Sequence, residues 1–322
     1  MHCIKEGLAM TKRDERKLER KLRKIEEENS RPSMVVHPSI GGSIADVVIA
    51  LILAAVAFIC IIPIWHVFMA SISDGYSLLS HEGTVWKPVG EATLAGYKLL
   101  FSDTSILMGY LNSIIYVVGG TVLGLLMNIF AGYILSRSTK MRGAMILFCV
   151  FTTMFNGGTV PTYMVIKALH MTGTRWSLII PGCTNAIFML LMMNAFSQVD
   201  RSYVEAAEID GAGHLSIMFR VMLPQCKGMA LVTAVNTAIL KWNAWFEASI
   251  YVPNQKELWP LQLWVKSITA SATDFLKATN PNYDKNLLQY AVIIAATAPV
   301  LIAFPFFIKK LEKGMAMGGV KG

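Results

Sequence analysis

The sequence predicts an all-α integral membrane protein with six transmembrane helices and a cytosolic pair of short helices between the fourth and fifth spans. Charged residues make up only 16% of the 322 residues, whereas soluble domains carry about 25%. The missing charge coincides with long apolar runs, as expected for a chain dissolved in lipid. Basic residues concentrate in alternate connections between these runs, which is typical of a multi-pass topology.

Each apolar run is close to the roughly 20 residues that a helix needs to cross ~30 Å of hydrocarbon. The first run follows a charged arm and has no small-residue cleavage site behind it, so we expect a retained span instead of a signal peptide. The predicted spans lie at about 44–70, 106–136, 143–168, 176–197, 228–251 and 288–309.

Lysine and arginine near the span ends predict that both termini are cytosolic. The opposite connections carry fewer basic residues per length, and the long loop before the last span counts less. The net charge of +8 gathers in the arm and short loops, which favours anionic lipid over a nucleic-acid partner. Outside the N-terminal arm, the basic residues assigned to the cytosol are Arg137, Lys140, Arg142, Arg201, Arg220, Lys227, Lys309, Lys310, Lys313 and Lys321.

These assignments divide the chain into an arm, one separate span, a membrane core and a tail. The core contains a cytosolic loop at 200–227 and an extracellular loop at 252–287. The predicted segments are the cytosolic charged arm 1–43, the first span 44–70, the extracellular loop 71–105, the core with five spans 106–310 and the cytosolic tail 311–322.

Small residues recur along one face of the second predicted span. Gly120, Gly124, Asn128 and Gly132 follow one another at intervals of four, so they share a helical face. Such a face lets another helix approach closely in a membrane. We therefore expect close helix packing here, with a role in a transport pathway as the alternative.

The loop 200–227 is too polar for lipid, and local patterns predict two short helices. Ser202 and Glu205 match a capping box that would start the first helix. Gly211 and Gly213 supply flexible or left-handed positions that end it and permit a turn. An amphipathic stretch follows, which Pro224 would stop before the fifth span. The result is a compact helical projection from the membrane bundle.

This loop resembles the "EAA loop" of ABC importer permeases. Glu205-Ala206-Ala207 is followed after three residues by Gly211 and after nine more by Val221-Met222-Leu223-Pro224. The family pattern has Glu-Ala-Ala, a glycine at this spacing and Ile-x-Leu-Pro at its end, so Val221 is a conservative departure. The resemblance implies that this helix pair couples the membrane subunit to a separate ATPase.

The resemblance also implies roles for individual residues. Glu205 would pair with a basic residue in a cleft on the ATPase, and Gly211 would be the hinge of the projection. The alternative for Glu205 is that it only caps its own helix, and both roles can coexist. The implied coupling residues are Glu205, Ala206, Ala207, Asp210, Gly211, Leu223 and Pro224.

Beyond the EAA loop, the chain is similar over about 45–322 to carbohydrate-uptake permeases of the maltose type, in the lipo-oligosaccharide permease branch. The segments 155–182, 241–251 and 313–322 are similar to sequences of that branch. It implies a bacterial inner-membrane subunit working with a second permease in a heterodimer, two ATPases, an extracellular solute-binding lipoprotein and an oligosaccharide. The chain would bind no cofactor or metal, since ATP and magnesium would lie on the ATPase subunits.

The fifth predicted span carries candidate residues for the substrate path. Ionisable groups within a membrane are costly and usually face a cavity or each other, and sugars bind aromatic faces and polar groups. The alternative is that Lys241 and Glu247 reach water at the outer end while the tryptophans lie in the interfacial belt. The candidates are Lys241, Trp242, Asn243, Trp245, Phe246 and Glu247.

Other function classes lack the residues that they require. No GxxxxGK[ST] motif is present, so the chain has no P-loop for ATP, and neither HExxH nor a nucleophile elbow suggests an enzyme. A secondary transporter would need internal repeats or paired intramembrane carboxylates, which the sequence does not display. An importer permease for a non-sugar solute and, less favoured, a secondary transporter remain the alternatives.

Overall fold

The computed structural model describes residues 40–137, 140–155, 157–275 and 283–319. The predicted arm at 1–43 falls almost entirely outside the described residues, as do the last residues of the tail. The chain divides into two compact units, Met1–Pro63 and Ile64–Gly322. The second unit contains the features discussed below.

Helices make up the fold, and the described residues include no β-strand. Besides α-helices, the chain contains a π-helical stretch, Ile217–Met222, and a 3₁₀ turn, Lys256–Leu258. The helices are α1 (Ile40–Ser71), α2 (Gly75–Leu79), α3 (Ala95–Ser102), α4 (Thr104–Ser136), α5 (Arg142–Met154), α6 (Thr159–Ala168), α7 (Trp176–Ile179), α8 (Ala186–Ser197), α9 (Arg201–Ile209), α10 (His214–Gln225), α11 (Lys227–Trp242), α12 (Trp245–Tyr251), α13 (Leu261–Phe275) and α14 (Tyr283–Gly319).

Three of the described helices are long and apolar enough to cross a membrane, over Ile44–Ser71, Thr104–Ser136 and Leu287–Ile308. Two further pairs pass the same test together but are bent, α5 with α6 by 115° and α10 with α11 by 88°. Length and composition thus give three to five spans for this part of the chain. The total of six stays a prediction, because the fourth predicted span is divided into α7 and the 12-residue α8.

Helix α4 lies at the centre of the second unit, and neighbouring segments pack closely against its small residues. A methyl group at Gly132 would lie 2.6 Å from Cβ of Met192 on α8, and one at Gly120 would lie 2.8 Å from Cε of Lys241 on α11. At Gly124 it would collide with the backbone carbonyl of Cys183. The close packing predicted for this face is confirmed.

The carbonyl that meets Gly124 belongs to a break between α7 and α8. Pro181 and Gly182 interrupt the helix there, and Gly182 has a φ of +66°. A break frees carbonyl oxygens that lipid cannot satisfy, so they need partners within the protein. The side chain of Lys241 is the partner of two such oxygens, because its Nζ donates to Leu178 O at 2.8 Å and to Pro181 O at 2.6 Å.

The segments predicted as extracellular loops contain helices packed on the bundle. Asn112 Nδ2 on α4 donates to the carbonyls of Glu257 and Trp259, and Tyr116 Oη donates to Leu258 O. Burying these donors against the backbone fixes the 3₁₀ turn and the start of α13 against α4.

At the C-terminal end of the described residues, α14 continues to Gly319, so this helix includes most of the predicted tail 311–322.

We expect Gly124→Ala to lower the thermal stability of the purified protein strongly. The new methyl group collides with the Cys183 backbone, which cannot rotate away as a side chain can; overpacking of this kind costs about 1–3 kcal/mol. Gly119→Ala is the control, because it lies on α4 and meets only Ile179 side-chain atoms, the nearest at 3.4 Å. Equal melting temperatures of the two variants in detergent would contradict the packing assigned to this face.

Candidate functional site

Two short helices, α9 and α10, form a helical projection that we call the knob and define as residues 200–225. The first helix is capped by Asp200, whose side chain accepts a hydrogen bond from the Ser202 backbone N–H at 3.0 Å. The predicted capping box of Ser202 and Glu205 is therefore wrong. A carboxylate just before the helix accepts from the free N–H groups and suits the positive end of the helix dipole, so it starts α9 earlier.

The turn of the knob depends on Gly211. Its φ is +76°, and the Gly211 N–H donates to Glu208 O while the Ala212 N–H donates to Ala207 O at 2.9 Å. This pair of bonds is a Schellman motif, which requires a left-handed residue at the position of Gly211. The left-handed position predicted for Gly211 is confirmed, whereas Gly213 has an ordinary φ of −71° and is the N-cap of α10.

The second helix reaches beyond the predicted stop at Pro224. Residues Ile217–Met222 widen into a π-helix, and the helix then continues through Pro224 to Gln225. Proline normally clashes with the carbonyl four residues earlier and removes a donor. The wider turn just before Pro224 is where the chain departs from the regular α-helical bonds, and α11 begins after a sharp bend.

The base of the knob is apolar and packs against α4 and α8. The knob side chains at its centre are fully buried, and aromatic rings of α4 and α8 meet in an edge contact beside them, with Tyr133 and Phe196 centroids 6.3 Å apart. The knob is therefore fixed at its base by the bundle. The buried members of this cluster are Ile129, Tyr133, Met192, Phe196, Val204, Ile217, Met218, Met222 and Cys226.

The outer surface of the knob is unusually apolar for an exposed helix pair. Tyr203, Ile209 and Leu215 expose 57%, 86% and 63% of their surface. Glu205 on the same helix as Tyr203 and Ile209 is also exposed, and it has no hydrogen-bond or ion-pair partner among the described residues. Large apolar side chains exposed on so short a helix pair favour a protein-binding surface. Because Asp200 caps α9 and Glu205 makes no capping hydrogen bond, the alternative that Glu205 only caps its own helix is wrong.

The other residues predicted for coupling divide between the surface and the base. Ala206, Asp210, Gly211 and Pro224 are exposed, whereas Ala207 and Leu223 are partly buried against the apolar cluster. A cavity of about 470 Å³ borders Glu205, where charged side chains of α5, α9 and the residue directly after α4 meet. Its charged lining residues are Arg137, Arg142, Arg201, Glu205 and Glu208.

A second cavity, of about 260 Å³, lies at the break between α7 and α8. Two substrate-path candidates line it, Lys241 and Glu247. Lys241 is only 7% exposed and binds backbone carbonyls, so the alternative that it reaches water at the span end is wrong. Sequence reasoning missed the polar residues that α4, α7 and the break contribute, because only the fold brings them together. They are Tyr116, Ser177 and Thr184, and the lining also includes Asn185.

The remaining candidates of the fifth span point elsewhere. Trp242 is buried in a cluster with α14, and its Nε1 donates to Ala296 O at 3.1 Å. Asn243 donates to Ile239 O of its own helix. Trp245 and Phe246 contact each other edge to face on the surface, and Lys266 Nζ lies 5.4 Å from the Trp245 ring centroid. None of these four side chains lines the 260 Å³ cavity.

Metal ligands do not cluster in the described part of the chain, where no three His, Cys, Asp or Glu side chains come together in a way that could hold an ion. The side chains that the two sites present are suited to recognition. The knob offers an apolar surface with a free carboxylate, and the cavity offers hydroxyl, amide and charged groups for a polar solute.

Comparison with known proteins identifies a family for the chain. Residues 120–317 match the family described as binding-protein-dependent transport system inner membrane component. The chain is 32% identical to Protein LplC of Bacillus subtilis (strain 168), over 89% of this chain and 98% of the relative. It is 30% identical to the polygalacturonan/rhamnogalacturonan transport system permease protein YtcP of the same organism, over 86% and 98%.

A solved structure is similar along most of the chain. It is described as a bacterial ABC transporter involved in the import of the acidic polysaccharide alginate, and the match has a TM-score of 0.74 at 27% identity. It covers 84% of this chain and 98% of the other. Members of the matched family are non-catalytic membrane subunits that work with a substrate-binding protein and an ATPase. This chain belongs to the family of binding-protein-dependent transport system inner membrane components.

Proposed function

We propose that this chain is one permease half of an ATP-driven importer of oligosaccharides in a bacterial cell membrane. The relatives support a carbohydrate cargo, since one is named for polygalacturonan and rhamnogalacturonan and the similar structure for alginate. Oligosaccharides cut from polygalacturonan are therefore the first probes. In the complex, a second permease forms a heterodimer with this chain, two ATPase subunits bind below, and an extracellular lipoprotein delivers the sugar.

In this proposal six spans cross the membrane and both termini are cytosolic, which places the knob on the ATPase side. The single observation that carries the proposal is that the knob exposes both the unpaired Glu205 and large apolar side chains. A cleft on the ATPase would cover Tyr203, Ile209 and Leu215 and present a basic group to Glu205. The knob thus docks as a unit, with Ala206, Asp210 and Gly211 at or beside the contact.

The mechanism is alternating access. Closure of the ATPase dimer around ATP moves the docked knob, and the membrane helices change between inward-open and outward-open arrangements. The sugar passes from the binding protein into the outward-open cavity. Hydrolysis of ATP stays on the partner subunits, together with its magnesium, so this chain converts a movement at one end into a change of access at the other.

The cavity at the break is the proposed point of sugar contact within this chain. Its hydroxyl and amide groups suit a sugar, and Glu247 adds an acceptor for sugar hydroxyls. Lys241 already donates to Leu178 O and Pro181 O, so its main contribution is to hold the cavity wall. Of the six candidates in the fifth predicted span, we therefore propose that only Glu247 contacts the sugar and that Lys241 contributes indirectly.

We expect Glu205→Ala to weaken binding of the ATPase subunits roughly 10- to 100-fold, because a hydrogen bond to a charged group contributes about 1.5–3 kcal/mol. The measurement is the affinity of the purified ATPase for the permease complex in nanodiscs. Glu82→Ala is the control, since Glu82 is exposed between α2 and α3, far along the chain from the knob. Wild-type affinity in Glu205→Ala would remove the docking assignment, and sodium- or proton-driven uptake by this chain alone would contradict the importer itself.

We expect Glu247→Gln to raise the KM for oligosaccharide uptake about tenfold while leaving assembly intact. The substitution keeps the size of the side chain but removes its charge. A hydrogen bond from a sugar hydroxyl to a charged acceptor contributes about 1.5–3 kcal/mol to binding, part of which is lost. Uptake of labelled polygalacturonan oligosaccharides into proteoliposomes measures it. Glu257→Gln is the control, because Glu257 is exposed and lies outside the cavity lining. An unchanged KM in Glu247→Gln would move sugar contact to another subunit.

A further inference from the structure

The two helices of the knob are attached to the bundle in different ways. The second helix, α10, buries Ile217, Met218 and Met222 in the apolar cluster. The first helix, α9, has nine residues and buries only Val204. A helix this short is not stable by itself in water. Its position must therefore be set by its two ends and by the few side chains that tie it to neighbours.

One of those ties is an ion pair between α9 and the end of α4. Arg137 Nη2 donates to Glu208 Oε1 at 2.7 Å, and it is the only ion pair among the described residues. The two side chains expose 32% and 43% of their surface, so water screens the pair only in part. Glu208 lies three residues after Glu205, nearly one helical turn along α9.

The last turn of α4 orients this arginine and reaches the second helix as well. The Arg137 guanidinium lies 5.8 Å from the Tyr133 ring centroid, which limits its freedom before it meets Glu208. The Tyr133 hydroxyl is 3.3 Å from Nδ1 of His214, at the start of α10. Tyr133 in the last turn of α4 and Arg137 directly after that helix thus contact the two helices of the knob, and Arg137 holds the one that carries Glu205.

We propose that Arg137 and Glu208 are positioning residues that transmit movement from α9 to α4. Without this ion pair, a movement of the ATPase would displace α9, and the displacement would reach α4 only through the apolar base of the knob. With the pair in place, a displacement of α9 pulls the end of α4, whose middle part borders the 260 Å³ cavity through Tyr116. This inference rests on the proposed docking of the knob and names the link that makes docking productive.

The test follows the ATP-driven change at the cavity and needs no sugar. Leu240 lines the cavity and is exposed, so Leu240→Cys in a chain without its native cysteines gives a single reactive thiol there. The assembled complex in proteoliposomes is labelled with N-ethylmaleimide, with and without vanadate-trapped nucleotide. The ratio of the two labelling rates measures how strongly nucleotide trapping on the ATPase changes the accessibility of this thiol in the cavity.

We expect Arg137→Glu and Glu208→Arg each to lower this ratio about two- to fivefold, as fits the coupling of a partly exposed ion pair. The double variant, which restores opposite charges in exchanged positions, should recover most of the ratio. ATPase binding should persist in all three variants, because Glu205 is untouched. Lys140→Glu is the control, since it changes a basic residue near Arg137 that is exposed and has no ion-pair partner among the described residues.

The outcomes separate this inference from the proposed function. If the parent responds to nucleotide and the single reversals respond equally well, the ion pair is not the link, although docking stands. If the reversals lose ATPase binding, or the double variant recovers nothing, the residues act in docking or stability and the inference is overturned. If the parent itself shows no response to nucleotide, the proposed function fails, and this inference fails with it.

Discussion

The second unit of the chain depends on the close approach of the backbone around Cys183 to Gly124 on α4. This contact brings the break between α7 and α8 into the centre of the bundle, where its carbonyls are shielded from lipid. Lys241 then donates to two carbonyls beside the break and passes along Gly120, a position where any larger side chain would collide with its stem. One smooth helix face thus makes both the break and the buried ammonium possible.

Helix α4 joins the two features that matter for function. Its middle part borders the cavity through Tyr116, its last turn contacts α10 through Tyr133, and Arg137 directly after it contacts α9. A long helix packed tightly along one face moves as a body, since interiors transmit displacement instead of absorbing it. The geometry therefore suits a subunit that receives a movement at the knob and opens or closes a polar cavity farther along.

The sequence predicted the features that follow from local rules. Apolar length identified the long helices, and the spacing of the EAA pattern identified the knob, with Gly211 at the left-handed position of its turn. It misplaced the helix cap, because Asp200 and Ser202 are both good caps and only the fold decides between them. The roles of Lys241 and Trp242 depend on carbonyls more than 50 residues away, which no local pattern reveals.

If the geometry of the knob couples ATP hydrolysis to import, Gly211 allows a direct test of that coupling. Alanine at Gly211 must adopt a φ of +76°, whereas alanine at Gly213 keeps an ordinary φ of −71°, and neither meets another atom within 4 Å. The measurement is the number of oligosaccharide molecules imported per ATP hydrolysed. We expect a reduced ratio for Gly211→Ala and a normal ratio for Gly213→Ala; a wild-type ratio in both variants would contradict coupling through the knob.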